Sequence, residues 1–230
     1  HRLSWRGHDR RKHRPNRRDD AYLAMNELSY HLKDELGFQQ TRVDSGFRNY
    51  RDGRHVHDGT NILRVYVKHI TALGQPLRIR VQILMADSDP ETNDVTFEKY
   101  WVQAEERANI IHFDGHSNLG GALPLERFPN VKWDLEKYQI MFFNSCSTYP
   151  YFNGDYFQAK GGSKTLDLVT TGLPTPTNIS GSNAVAFLEP FLEGKTISWQ
   201  TLMSRLEQSN KEEGTSLTGV SGDEDNEWSP

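Results

Sequence analysis

The sequence predicts an α/β protein, a three-layer α/β/α sandwich in which a mostly parallel sheet lies between helices, with an extra β-hairpin. Two observations carry this. The runs NIIHF (109–113), YQIMFF (138–143) and LDLVTT (166–171) are continuously apolar or small, as strands covered on both faces are, and helical patterns precede and follow them. Upstream, Leu63, Val65 and Val67, and then Leu77, Ile79, Val81 and Ile83, alternate with other residues on either side of TALGQP (71–76), the pattern of paired strands joined by a turn.

The elements follow in order. Ala21, Met25, Leu28, Leu32 and Leu36 recur at helical spacing, with Asp19 or Asp20 placed to cap and Gly37 to stop the helix. FQQTRVD (38–44) reads as a strand and 45–59 as a polar, Gly-punctuated loop. The stretch from Asp94 to Ala108 has helical character and leads into the 109–113 strand. A Gly-, Pro- and Asn-rich connection precedes 138–143, and a second loop precedes 166–171. Helical spacing returns over Ala184–Leu192 and Ser198–Glu207, and the acidic, Gly- and Ser-rich tail from Asn210 reads as flexible. The chain thus divides into a basic arm (1–18), one folded domain (19–209) and a tail (210–230).

Composition narrows the classes of function. With 230 residues, 35% of them hydrophobic, the chain can bury one sizeable core, and no apolar run approaches the roughly 18 residues that would span a bilayer. A soluble protein is expected, its compartment unreadable. The opening at His1 is Arg-rich and lacks an apolar stretch, as in a chain whose leader or upstream domain has been removed. A single cysteine excludes an intrachain disulfide. Residues 1–18 hold eight of the 27 basic residues and one of the 31 acidic ones, leaving 19 basic against 30 acidic residues, a net of −11, for the rest. Such an arm either lies against the acidic body or meets an external anion. Without aromatic interleaving beyond Trp5 or a nucleic-acid motif, an arm packed on the acidic body or simply solvated is the favoured reading and nucleic acid is not an expected partner.

Chemistry concentrates at two strand ends. IIHFDGHSNLGG (110–121) and YQIMFFNSCSTY (138–149) each stop at a cluster of small and polar residues, the first holding His116 and the second Cys146. Neighbouring parallel strands would bring both to the sheet edge where ligands of such folds bind. A thiol becomes a strong nucleophile when an imidazole takes its proton or lends it charge. The bland alternatives are a structural buried thiol and a loop histidine.

FDGHS and NSCS resemble the His-Gly and small-Cys-Ser signatures of the caspase-like cysteine peptidases, the group of caspases, metacaspases, legumain, gingipains, clostripain and separase. A looser resemblance extends over 19–207, through TTGLPT (170–175) and FLEPFLEGKTISWQTLMSRL (187–206). It implies a caspase-like domain with a Cys146–His116 dyad that hydrolyses peptide bonds without a cofactor or a third catalytic group, and an oxyanion hole built from the main chain of Gly115, Ser117 and Cys146. The family usually has Gly where this chain has Ser117. Serine keeps the amide, so the hole is compromised only if that residue must adopt φ > 0. Substrate contacts implied by the resemblance are Arg6, Arg10 and Arg11 after a first strand RLSW (2–5) for an acidic residue, or an acid such as Asp44, Asp87 or Asp155 for a basic one. Asp114, two residues before His116, either orients the loop or is an ordinary surface acid.

Other readings stay open. GHSNL (115–119) fits a serine nucleophile elbow except that Leu119 stands in place of the final Gly. A catalytically inactive binding module on the same fold is a third reading. His112 and His116 straddle a strand end instead of sharing a helix face, and His55, His57 and Asp58 lie on a polar stretch, so no metal is expected. The expected partner is a protein or peptide substrate, and oligomeric state is not legible.

Overall fold

The computed structural model describes residues 8–9, 14–15, 19–49, 55–91, 95–211, 214 and 216–225. Arg6, Arg10, Arg11 and the RLSW segment lie outside them. The chain is α/β. The stretch 19–209, read from sequence as one domain, clusters into two compact units: one runs to Asp87 and takes in Glu91–Phe97 and Asn178–Ser198, and the other holds Ser88–Pro90, Glu98–Thr177 and the chain from Trp199 onward. Among the described residues no helix is long and apolar enough to cross a membrane.

In the first unit, two-residue strands β1 (His8–Asp9) and β2 (Arg14–Pro15) pair antiparallel. Helix α1 (Asp20–Tyr30) begins where the Asp19 carboxylate accepts the Tyr22 amide at 3.2 Å, continues as a π-turn over His31–Glu35, and ends at Gly37 with φ 69°. Its apolar stripe is buried at Met25, Leu28, Leu32 and Leu36, as the spacing predicts. Strands β3 (Gln39–Asn49), β4 (His55–Ala72) and β5 (Gln75–Met85) form an antiparallel sheet in that order. The predicted hairpin is β4–β5, turned by Leu73 and Gly74, both at positive φ as a two-residue hairpin turn with the twist of its strands requires. The polar stretch 45–59 is strand over 45–49 and 55–59 instead of loop: Arg48 pairs Val56 and Asn49 pairs His55, so ladder bonds to the partner strand override its loop-like composition. Helix α4 (Ser180–Leu192) packs on α1, where a side chain at Gly181 would collide with Glu27, and Leu28, Leu32, Tyr66, Ala184 and Leu192 share one core cluster.

The second unit is built on a mixed sheet of order β6–β7–β8–β9. Strands β6 (Ile110–Asp114), β7 (Gln139–Asn144) and β8 (Leu166–Thr171) are parallel and match the three predicted runs, and every residue of β7 and β8 is buried. Strand β9 (Thr218–Ser221) pairs antiparallel with β8, so the tail read as flexible supplies a strand. Its polar composition hides this, because the stabilising contact is the ladder along β8. Gly222 makes the fit possible at φ 103°, since a Cβ there would stand 2.4 Å from the Leu166 carbonyl oxygen.

Three helices belong to this unit: α2 (Thr96–Arg107), whose first two residues fall in the other unit, α3 (Thr148–Ala159) and α5 (Trp199–Ser209). Helix α3 replaces the second loop expected between 143 and 166. Trp101 of α2 and Phe152 and Tyr156 of α3 meet Phe113 and Phe143 of the sheet, with ring centroids 4.9–6.2 Å apart and mostly edge-to-face. Beside this cluster the buried Glu105 carboxylate accepts the Trp101 indole N–H at 2.6 Å. Burial pushes its carboxyl up to about 8, against the smaller opposing pull of hydrogen bonds from Trp101 and Tyr156. Lys160, at the end of α3, donates through Nζ to the carbonyls of Asp134 and Lys137, both at 2.5 Å, and so ties the helix to the approach of β7.

Candidate active site

The parallel register of β6 and β7 fixes where the two reactive side chains emerge. Asp114 pairs with Asn144 as the last rung, and His116 and Cys146 each follow two residues later. The chains leave the sheet clipped together, because the buried Ser145 hydroxyl donates to the Gly115 carbonyl at 2.6 Å. His116 and Cys146 are both half-buried.

The Cys146 turn is braced from β8. The Ser145 carbonyl accepts the hydroxyls of Thr171 and of Thr175, the latter at 3.2 Å, and the Ser147 amide donates to the Leu173 carbonyl at 3.2 Å. Thr148 returns a hydroxyl to the Phe143 carbonyl at 2.9 Å and its amide to Thr171 Oγ1 at 3.3 Å. Ser147, at φ 52°, turns the chain from strand into helix, so Cys146 sits in a strand–turn–helix just ahead of α3. The positive end of a helix favours negative charge developing beside it.

On the His116 side, Ser117 has φ −69° and ψ −22°, and its carbonyl accepts the amides of Gly120 and Ala122 at 3.0 and 3.1 Å. Serine therefore meets no strain where the family pattern has glycine. The residue is 4% exposed. The strained residues lie beyond it, at Asn118 and Leu119, with φ 50° and 54°. This differs from a serine elbow, in which the nucleophile itself occupies the tight strand-to-helix turn.

The remaining predicted residues are scattered. The Asp114 carboxylate lies 3.9 Å from His112 Nε2, and His112 in turn packs edge-on against Phe142. Asp155 is exposed on the third turn of α3. Asp44 belongs to the other unit, where it pairs with Arg42, as does Asp87. Sequence reading missed Ser145, Thr148, Thr171 and Thr175. The only signal for them is that hydroxyl residues crowd the ends of β7 and β8. Among the described residues no three His, Cys, Asp or Glu side chains gather as a metal-ligand set. No protein-family model and no curated protein matches the chain.

Proposed function

We propose that the second unit is a cysteine peptidase of caspase-like type, using Cys146 as nucleophile and His116 as proton carrier. The observation that carries this reading is the shared register: two adjacent parallel strands end on one rung, and a thiol and an imidazole follow at equal distance, with their loops joined by the Ser145–Gly115 bond. In the reaction, His116 takes the Cys146 thiol proton, the sulfur forms a bond to the carbonyl carbon of the scissile peptide, and the carbonyl oxygen becomes an oxyanion near the Ser117 and Cys146 amides. As the C–N bond breaks, the imidazolium of His116 gives its proton to the leaving amine. Water then attacks the thioester, His116 takes the water's proton, and the free carboxylic acid and thiol are restored. A three-layer caspase-like fold is part of the same proposal, supported by the parallel order of β6, β7 and β8.

The test is hydrolysis of a quenched fluorogenic peptide library by the wild type and by Cys146→Ala. The expected result is cleavage that falls by orders of magnitude in the variant while its circular dichroism is unchanged. A folded Cys146→Ala protein with full activity ends the proposal, and a folded wild type that binds peptides without cleaving them makes this a binding module.

A further inference from the structure

The sheet edge that carries Cys146 is short of acidic and basic side chains. The segments at the strand ends, 115–121, 145–149, 172–177 and 216–218, contain no Asp, Glu, Lys or Arg, in a chain that is 25% charged. Asp114 ends β6 with its carboxylate toward His112. Within the same runs stand large exposed apolar side chains: Leu119 at 85%, Tyr149 at 54%, Leu173 at 41% and Leu217 at 59%.

These side chains are placed, and at a cost. Leu119 and Leu217 adopt φ 54° and 49°, a left-handed conformation that L-residues with a Cβ disfavour by about 1 kcal/mol each. A leucine that is both strained and exposed contributes neither backbone preference nor burial to the fold. Leu173 and Leu217 are linked to the segment of the candidate nucleophile through the main chain. The Leu173 carbonyl holds the Ser147 amide, the Gly172 amide donates to the Leu217 carbonyl at 3.1 Å, and Leu217 packs over Gly172. On the other side Gly120, beside Leu119, lies under the Tyr151 ring of α3.

We infer that this edge selects a peptide with an uncharged, apolar side chain within a residue or two of the scissile bond, seated on Leu173 and Leu217, with Leu119 and Tyr149 at the opposite rim. The inference deepens the peptidase reading and rests on it for the scissile bond. A charged side chain seated on Leu173 and Leu217 would exchange water for apolar surface, which is costly. An apolar one gains from covering leucine surface that the fold leaves wet.

The experiment uses the full chain and a positional-scanning fluorogenic library. Peptides with Leu, Phe or Met at the selected position are cleaved at least about tenfold faster than those with Arg, Lys, Asp or Glu. Leu217→Asn and Leu119→Asn retain a residue that tolerates the left-handed backbone, and Leu217→Asn lowers the Leu-to-Gly ratio of kcat/KM about tenfold. A preference for charged residues, or an unchanged ratio, overturns the inference while leaving the dyad standing. Binding of labelled Leu and Gly peptides to Cys146→Ala, read by fluorescence anisotropy, decides the matter without turnover. Tighter binding of the Leu peptide that Leu217→Asn abolishes supports the inference even if the wild type cleaves nothing, and equal binding of both peptides overturns it.

Discussion

The Ser145 hydroxyl donates to the Gly115 carbonyl at 2.6 Å, so the residue before the cysteine is bonded to the residue before the histidine. Strand pairing stops at Asp114 and Asn144, and this bond continues the connection across the gap. Ser145→Ala is expected to lower stability by about 1–2 kcal/mol, the cost of leaving a carbonyl short of its donor, visible as a lower denaturant midpoint. Peptide cleavage should fall further than this, because the loops lose their mutual alignment. Unchanged kcat/KM in a measurably destabilised variant would separate the bond from the chemistry.

Reactivity of the thiol offers a test independent of substrate. Iodoacetamide should alkylate Cys146 in the folded protein faster than in the urea-unfolded chain, and His116→Ala should remove most of the difference. Equal rates for the folded wild type and the variant would dissolve the pair.

Ser117 allows the oxyanion hole to be tested by removing one hydrogen. Its φ of −69° is the angle at which proline is locked, so Ser117→Pro deletes the amide N–H without demanding a new φ. Peptidase activity should drop by about 10²–10³ in Ser117→Pro and little in Ser117→Ala, with near-native circular dichroism required of both. Loss of activity in Ser117→Ala would transfer the assignment to a serine nucleophile.

Glu105 should give the fold a pH dependence of definite sign. Its folded carboxyl titrates at about 8, above the ordinary 4.5, so between these values the folded protein holds a proton that the unfolded chain has released. Its contribution to stability is full below about pH 4.5, declines as pH rises through 8, and is flat above. Urea midpoints at pH 5, 7 and 9 should fall in that order, and Glu105→Gln, which carries no titrating proton, should flatten the trend. A wild-type midpoint that rises across this range would contradict the assignment.

Much of the framework was readable because each signal was local. The three inner strands of the second unit show as unbroken apolar runs, and α1 as a stripe from Met25 to Leu36 with a cap and a stop. What escaped reading depends on partners distant in sequence. Helix α3 carries Pro150 in its first turn, where proline is tolerated, and Gly154 in its middle, and its buried faces are aromatic residues matched to Phe143. The pair proposed as a dyad was legible because its two residues follow recognisable strands. The hydroxyls that brace it were not, because Thr171 and Ser145 look like ordinary strand-end residues until β7 and β8 lie side by side.

The closing strand has a consequence for handling the protein. Thr218–Ser221 covers the outer ladder of β8, whose residues LDLVTT are buried throughout and strongly strand-forming. A chain cut before Thr218 would present that ladder bare, an unpaired row of amides and carbonyls on an apolar, proline-free segment, which is the template on which one molecule recruits another. Truncation of this apparently dispensable end should therefore convert a monodisperse preparation into one that self-associates, and a purification tag belongs beyond Asp225 rather than in place of the strand.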